Sequence, residues 1–411
     1  MSMHTAWQVL FAAALLAGCG RDSVQRTAAT ERDSAGISIV ENTGPYAEWR
    51  VAPEPEIRLG VVEGDSAYQF HRIAFAGRLS DGRIVVASAG TSDIRWYSAA
   101  GEYRARAGRS GEGPGEFRAI GHVVLTAADT LILHDVRNRR LTWVTPDETI
   151  GRGQPASALP SGVMTVLGQQ PDGRVALAIS APTWDPHRPG VTYTRNTLSV
   201  VVLGEARVDT VVRLPGNETS IWASFDGGRP TRMQQFGLPF GHSVLAAALG
   251  SDIVLALSET QQLEFIDAGS SRRRIVRRLD LPVTLLTEQH RARRVQQTID
   301  EARARGQANY SAAVDGINQQ LDALPEGHTM PVFDRILVDA EGRLWLRDYV
   351  PPWGGEPMQT WTVYRPDGHI ESRISVPSSI MVMHTGRGYV TGVARDSLDV
   401  EYVVVHAIER D

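Results

Sequence analysis

The sequence predicts an all-β fold, a six-bladed β-propeller whose last blade is completed by an N-terminal strand. Three observations predict it. A hairpin pattern, in which a tight turn joins two apolar runs, occurs six times. Successive copies lie about 45 residues apart, the period of a four-stranded propeller blade, except across two longer gaps that must hold insertions. A short strand near the N-terminus has no local partner.

The hairpin turns are the clearest local signal. Asp81-Gly82 and Asp172-Gly173 each separate two apolar runs, and Glu341-Gly342 occupies the same place in a third copy. Such pairs favour a tight turn because glycine readily adopts the positive φ that the turn requires. Three further copies lack the pair. The first apolar residues after the six turns are Ile84, Leu131, Val175, Ile253, Leu344 and Tyr389.

Ring closure follows from the two ends of the chain. The sixth copy ends after its third strand, Glu401–Ala407. The segment Pro55–Gly60 is a short strand ahead of the first copy, and pairing it with the last copy would leave no open sheet edge. A pair of β-sandwiches and a β-solenoid are the alternatives, and the period and the closure favour the propeller over both.

One long gap holds a predicted helical insertion between the fourth and fifth blades, residues 284–324. Thr287 is the predicted N-cap, and apolar residues then recur at helical spacing. Arg305-Gly306 divides the segment into a helical hairpin, in which Glu301 and Arg305 form a pair four residues apart. The insertion is either a flap packed on the propeller rim or a docking helix for a partner.

The other long gap, in and after the third blade, is rich in aromatic and arginine residues. Segments 183–196 and 217–241 are predicted as long loops, which are unusual in a compact domain without a function. They would either roof one mouth of the central channel or fix the loops to the scaffold. Arginine and tryptophan together suit anionic or carbohydrate ligands. With two residues of a fifth-blade loop, the predicted ligand-binding set is Trp184, Arg188, Trp222, Arg229, Arg232, Asp348 and Trp353.

The second blade resembles the NHL repeat. Residues 111–117 match its Gly-x-Gly-x-Gly-x-Phe motif, and residues 135–141 match Asp-x-x-Asn-x-Arg followed by an aliphatic residue. The chain therefore resembles the six-bladed NHL-like (TolB-like) propeller lipoproteins of bacteria over about residues 37–411, most closely in this blade. In the fourth blade, Ser258-Glu259 stands where the repeat has Asp. The resemblance implies the fold, and a shared fold does not imply a shared function.

The N-terminus predicts a lipoprotein signal peptide, residues 1–18. The apolar run Trp7–Ala17 has the length of a signal-peptide core and is shorter than the about 20 residues that span a membrane. It ends in Leu16-Ala17-Gly18-Cys19, which resembles the lipobox of bacterial lipoproteins, where the cysteine is lipidated. An ordinary secretory signal is the alternative.

The resemblance to lipoproteins also implies a cellular location. Residue 20 is Gly rather than Asp, which by resemblance to lipoprotein sorting favours the outer membrane, with the protein facing the periplasm of the cell envelope. Residues 19–50 are predicted as a flexible tether and lead-in, and residues 51–411 as the propeller.

Composition and missing motifs exclude many functions. The chain has one cysteine and no lysine among 42 basic residues, which excludes a disulfide framework, cysteine-ligated metal sites, P-loops and Schiff-base enzymes. The net charge of -5 argues against a nucleic-acid partner. Neither a Gly-x-Ser-x-Gly elbow nor a His-x-x-x-His pair occurs.

These exclusions favour a non-enzymatic, lipid-anchored module that binds a periplasmic protein, peptide or glycan and needs no cofactor. The alternative is a calcium-dependent hydrolase, lactonase or lyase, which would need polar residues converging on the channel. Asp135 and Asn138 also occupy the turn where NHL blades satisfy backbone amides. The polar channel candidates are His134, Asp135 and Asn138, and Glu259, Asp339 and Asp348 are further candidates for the metal.

Overall fold

The computed structural model describes residues 29–410 except 152, 156–161, 184–189, 205–206, 227–228, 308, 354 and 356. The predicted signal peptide, Cys19, Trp184 and Arg188 lie outside the described residues. Among the described residues, no helix is long and apolar enough to cross a membrane.

The described chain is mostly β. In chain order the strands are β1 (Ala29–Ser34), β2 (Ile37–Asn42), β3 (Ala47–Val51), β4 (Ile57–Leu59), β5 (Ile73–Arg78), β6 (Ile84–Ser88), β7 (Asp93–Tyr97), β8 (Tyr103–Ala107), β9 (Arg109–Ser110), β10 (Glu116–Phe117), β11 (Ile120–Leu125), β12 (Leu131–Asp135), β13 (Arg140–Val144), β14 (Gln154–Pro155), β15 (Val163–Gln169), β16 (Val175–Ala181), β17 (Gly190–Leu203), β18 (Val208–Asp226), β19 (Arg229–Gly237), β20 (Val244–Leu249), β21 (Asp252–Leu257), β22 (Gln262–Asp267), β23 (Arg273–Arg278), β24 (Phe333–Val338), β25 (Leu344–Asp348), β26 (Met358–Tyr364), β27 (Ile370–Pro377), β28 (Ile380–Gly386), β29 (Tyr389–Arg395) and β30 (Glu401–Arg410). Two helices, α1 (Glu288–Ala304) and α2 (Ser311–Asp322), lie between β23 and β24.

The strands form successive antiparallel sheets arranged in a ring. The sheets begin with β5, β11, β15, β20, β24 and β28, and in each the following strands pair in sequence order. These first strands contact one another in that order, and β28 returns to contact β5. This closed order makes the fold propeller-like, with the first strands around a central channel.

The predicted tight turns connect the first two strands of three sheets. Gly82 and Gly173 both have positive φ, as the turn requires. The Asp81 carboxylate accepts a hydrogen bond from the backbone N–H of Arg83, and the Asp172 carboxylate accepts one from that of Arg174, both at 3.0 Å. These bonds hold the hairpins without help from the rest of the fold, which is why the sequence alone identifies them.

The N-terminal segment takes part in the sheets. As ring closure predicts, β4 pairs antiparallel with β30, with Leu59 opposite Val403. The segment 19–50, predicted as a flexible tether and lead-in, contains β1, β2 and most of β3 in its described part. Strand β2 pairs in parallel with β23, and β3 joins β27 to β30. Val40 and Trp49 are buried in the cores between the sheets, so a few apolar side chains suffice to fix these added strands.

The predicted loops of the third sheet are mostly strand. Strands β17 and β18 continue beyond the sheet and stay paired, with Thr192 opposite Ile221, and β19 adds a third strand. The prediction of long loops over 183–196 and 217–241 is therefore wrong for residues 190–196, 217–226 and 229–237, whereas residues 238–241 do form a loop. Alternating β-branched residues, such as Thr192 and Thr194, favour strand over loop here.

The helices form a hairpin against this extension. Thr287 accepts the backbone N–H of His290, as expected of the N-cap, and Glu301 pairs with Arg305 at 3.3 Å. An apolar cluster joins α2 and the segment after it to the chain that follows β19. Its buried members are Leu238, Phe240, Ile317, Leu321, Leu324 and Met330.

Candidate functional site

The first strands of the sheets enclose a cavity of about 1580 Å³. At one end, the hairpin turns surround it with charges of both signs, from Arg78, Asp129, Glu341 and Arg387. The wall between the ends is mainly apolar. Apolar side chains that line it include Val123, Leu125, Val166, Leu245, Ile336 and Leu337.

Side-chain amides and one carboxylate mark the other end of the cavity. Asn196, Asn217, Gln235 and Asp334 line it there. The Oδ1 atom of Asn196 is buried without a hydrogen-bond partner among the described residues. This end therefore offers three neutral amides and the Asp334 carboxylate to an entering molecule.

Arg335 is the charged residue of β24 that faces the cavity without a partner. It is half-buried, and among the described residues it forms no ion pair and no hydrogen bond through its side chain. The neighbouring Asp334 carboxylate forms an ion pair with Arg347. Burial and the nearby Arg347 guanidinium lower the pKa of Arg335 to about 10, against the opposing effect of Asp334. At neutral pH the Arg335 guanidinium therefore stays charged in the cavity wall.

His384 is a second polar group at the cavity wall. Its side chain lies between Phe75 and Tyr389, and its Nδ1 has no partner among the described residues. Burial lowers the pKa of His384 to about 4, so the ring is neutral at neutral pH and adds no charge to the cavity.

A second polar cluster joins Glu218 of β18, His242 before β20 and His328 before β24. The three residues are only 4%, 7% and 7% exposed, respectively. His242 Nδ1 lies 3.3 Å from Glu218 Oε1, and His328 Nε2 lies 3.6 Å from Glu218 Oε2. One ligand atom from each residue falls within 4.8 Å of the others, the spacing of a possible metal site.

Glu218 is held as a carboxylate by several donors. Arg195 and the Tyr193 hydroxyl both donate to Oε1 at 2.8 Å, and the backbone N–H of His242 donates to Oε2 at 2.8 Å. Burial would raise the pKa of Glu218, but these hydrogen bonds and that of the His242 ring hold it well below its usual value. Arg195 also pairs with Glu259.

Both imidazole rings are positioned by a further contact. His242 Nε2 lies 3.1 Å from Thr329 Oγ1, and His328 Nε2 lies 3.0 Å from the Phe240 carbonyl oxygen. Burial lowers the pKa of His328, so this ring is neutral at neutral pH.

The described members of the predicted ligand-binding set lie in separate places, and Trp184 and Arg188 lie outside the described residues. Trp222 and Arg232 face each other on the β17–β19 extension, with the guanidinium 5.9 Å from the ring centroid, and Arg229 is exposed beside them. Trp353 packs 5.6 Å from Phe240 and fixes the helical insertion instead. None of these described residues lines the central cavity.

Asp348, the other predicted ligand-binding residue, belongs to a structural network. Its carboxylate pairs with Arg278 at 2.8 Å and Arg373 at 3.5 Å. Burial raises the pKa of Asp348 while these two guanidinium groups oppose the rise. The fully buried Arg278 also donates to Thr362, so the group joins neighbouring strands rather than facing a ligand.

The predicted channel candidates of the second blade do not line the described cavity either. Asp135 is fully buried and accepts the backbone N–H groups of Arg118, Ala119 and Asn138. The Asn138 amide donates to Asp135 and to Gly111. His134 stacks on His122, with ring centroids 6.2 Å apart. The motif therefore closes the turn, which leaves the carboxylate no free position for a ligand.

The sequence contains only a faint signal for the residues that the structure brings forward. Asp334 and Arg335 are adjacent charges inside the strand Phe333–Val338, and charges inside a strand next to a channel are such a signal. Glu218, His242 and His328 share no spacing motif because each comes from a different segment.

Comparisons with known proteins give distant structural likenesses. No protein-family model matches the sequence, and no curated protein matches it. Among solved structures, a DUF4221 family member from Bacteroides vulgatus is 10% identical, with 89% of this chain and 99% of that chain covered and a TM-score of 0.47. Virginiamycin B lyase from Staphylococcus aureus is 9% identical over 85% of this chain and 98% of that chain, with a TM-score of 0.38.

A third likeness is to regucalcin, described as a calcium-binding protein, from Agrobacterium tumefaciens. It is 10% identical, with 88% of this chain and 96% of that chain covered and a TM-score of 0.38. These TM-scores lie below 0.5, so the propeller-like assignment rests on the strand pairing of this chain.

Proposed function

We propose that this chain is a six-bladed propeller that binds an anionic, partly apolar small molecule in its central cavity, as a lipid-anchored module of the bacterial cell envelope. The observation that carries the proposal is Arg335, a charged group without a partner in a largely apolar cavity of about 1580 Å³. A guanidinium in such surroundings gains most from a carboxylate, sulfonate or phosphate that it can bind with two parallel hydrogen bonds.

The lining of the cavity suggests how such a ligand would lie. Its anionic group would reach Arg335 past the neutral amides of Asn196 and Asn217, and its apolar part would lie along residues such as Val166 and Leu337. An apolar wall with a few placed polar groups is the usual form of a small-molecule site.

The test uses two dyes that differ in charge. Anilinonaphthalene sulfonate and the neutral phenylnaphthylamine are titrated into the purified protein and followed by fluorescence. Arg335→Met keeps the aliphatic stem and should weaken binding of the sulfonate by about 10-fold or more, the loss expected for one hydrogen bond to a charged group. Binding of the neutral dye should be unchanged.

The matched control is Arg104→Met, which removes an exposed guanidinium and the same unit of charge. It should leave both titrations as they are in the parent protein. Unchanged sulfonate binding in Arg335→Met, or an equal loss for both dyes, would refute a charge-specific site.

The lipid anchor is proposed from Leu16-Ala17-Gly18-Cys19. A diacylglycerol on Cys19, with the acylated amine that follows cleavage, would hold the protein at the membrane surface. Cys19→Ser should move the protein from the membrane fraction to the soluble fraction of the cell. If the variant stays with the membranes, the anchor lies elsewhere.

A calcium-dependent hydrolase, lactonase or lyase finds less support. The carboxylates considered for the metal already have partners, which are backbone amides for Asp135, Arg343 for Asp339 and Arg278 for Asp348. Glu259 pairs with Arg195. Since calcium needs six to eight oxygen ligands, these dispersed and occupied groups favour the binding module.

A further inference from the structure

We infer that Glu218, His242 and His328 form a binding site for one divalent transition-metal ion of the Zn²⁺ type. One ligand atom from each residue lies within 4.8 Å of the others. Two imidazoles with one carboxylate are a ligand set that zinc takes in proteins, with a fourth position left open. Calcium and magnesium prefer oxygen ligands, so two imidazoles select against them.

The distances fit that geometry. In a tetrahedral site with metal–ligand bonds of about 2.0–2.1 Å, neighbouring ligand atoms lie about 3.3–3.4 Å apart. Glu218 Oε1 and His242 Nδ1 are separated by 3.3 Å, and Glu218 Oε2 and His328 Nε2 by 3.6 Å. The imidazole centroids are 4.3 Å apart. These two pairs involve different oxygens of the Glu218 carboxylate, and one ligand atom from each of the three residues lies within 4.8 Å of the others.

The charges around the cluster favour a cation. Arg195 lies between the carboxylates of Glu218 and Glu259 and pairs with both. Two carboxylates therefore face one guanidinium beside the cluster. Glu259 Oε2 lies 4.0 Å from His242 Nδ1, so the second carboxylate is next to the proposed ligand atoms.

The hydrogen bonds around the proposed ligands favour the His242 tautomer and the ionised Glu218 carboxylate that metal binding requires. Ligation through His242 Nδ1 places the ring proton on Nε2, 3.1 Å from Thr329 Oγ1, which can accept it. Such a partner fixes the tautomer of a metal-bound histidine. Ligation by His328 Nε2 replaces its present bond to the Phe240 carbonyl. Tyr193 and Arg195 both donate to Oε1 of the Glu218 carboxylate and so help to fix its position.

The site is separate from the proposed cavity ligand. Its residues come from the β18 extension, the segment before β20 and the segment after α2, and none of the three lines the cavity. A bound ion would join the helical insertion to two sheets. Because the ion would bind the folded chain and not the unfolded one, it should raise the melting temperature.

The experiment uses the full chain, purified and treated with EDTA. Zn²⁺ is titrated by calorimetry, and Co²⁺ is added as a spectroscopic probe. We expect one equivalent per chain, the visible absorption of tetrahedral Co²⁺, and a melting temperature that rises with Zn²⁺ and not with Ca²⁺. His242→Ala and His328→Ala should each abolish the equivalent and the Co²⁺ spectrum, whereas replacement of the exposed His71, which precedes β5, by alanine should change nothing.

Two conservative variants keep the test valid if the histidine variants unfold. Thr329→Val should keep the stoichiometry and weaken Zn²⁺ binding by about 10–100-fold, the usual effect of removing an outer partner. Glu218→Gln should lose the tetrahedral Co²⁺ spectrum while circular dichroism shows a folded protein. Arg335→Met should bind the metal as the parent does, so failure of the cavity proposal leaves this one standing.

Three results would overturn the inference. The first is that the parent protein takes up no stoichiometric Zn²⁺. The second is that both folded conservative variants bind the ion with unchanged affinity. The third is that Ca²⁺ competes with Zn²⁺ at equal concentration. In each case the cluster is a hydrogen-bonded network that ties the three segments together without an ion.

Discussion

Substitution of Asp135 tests whether the NHL-like motif of the second blade has a structural role or binds a ligand. Its buried carboxylate accepts the backbone N–H groups of Arg118 at 2.9 Å and of Ala119 and Asn138 at 3.1 Å. The Asn138 side chain donates a fourth hydrogen bond at 2.7 Å. Asp135→Ala would leave all these donors without their acceptor, while the neighbouring strands keep their apolar packing.

The expected loss follows from those donors. A buried donor left without a partner costs about 1–3 kcal/mol. Since the donors are adjacent and their costs are shared, we expect Asp135→Ala to lower the free energy of unfolding by about 3–5 kcal/mol. Asp135→Asn keeps one acceptor oxygen and should cost less than Asp135→Ala.

The assay is urea denaturation followed by circular dichroism. The control is Asp172→Ala, which removes an exposed turn aspartate and should shift the midpoint far less. Sulfonate-dye binding by folded Asp135→Asn should equal that of the parent. If Asp135→Ala were as stable as Asp172→Ala, or if folded Asp135→Asn lost dye binding, the role of the Asp135 carboxylate would not be structural.

Three further predictions follow from other parts of the fold. The pKa of His384 is lowered to about 4 in the folded chain, against about 6.5 in the unfolded chain, so the unfolded chain binds this proton first as the pH falls. The free energy of unfolding should therefore decrease from pH 6.5 to 4, and His384→Gln should reduce this pH dependence of the urea denaturation midpoint. Gly108→Ala places a Cβ 2.8 Å from Phe117 at positive φ and should lower the melting temperature more than Gly173→Ala, which meets only the strain of about 1–3 kcal/mol. Trp353→Ala should loosen the insertion by about 2 kcal/mol and speed tryptic cleavage between α1 and α2 by about 30-fold.

The elements that sequence predicts well are those with local causes. The turns at Asp81-Gly82 and Asp172-Gly173 are closed by bonds between residues two apart, so no distant contact is needed to identify them. The N-cap at Thr287 is equally local. The closure strand β4 is an exception that topology explains, because an incomplete last sheet needs a partner from the other end of the chain.

Other features depend on contacts that sequence does not display. Residues 37–51 have no partner strand nearby in the sequence, yet they add strands because the sheets already present offer unpaired edges and cover side chains such as Val40. The cluster of Glu218, His242 and His328 arises where three distant segments meet. The packing of the described aromatic residues is hidden from the sequence for the same reason: Trp222 and Trp353 pack against partners that only the fold supplies.

The absence of lysine bears directly on Arg335. Burial lowers the pKa of any cation, and it brings that of Arg335 down to about 10, which still leaves the guanidinium charged at neutral pH. A lysine begins from a lower pKa, so the same burial would bring it nearer to neutrality and weaken its hold on an anion. A guanidinium at this position therefore keeps its charge in surroundings where an ammonium would tend to lose it, and that retained charge is what the proposed cavity site requires.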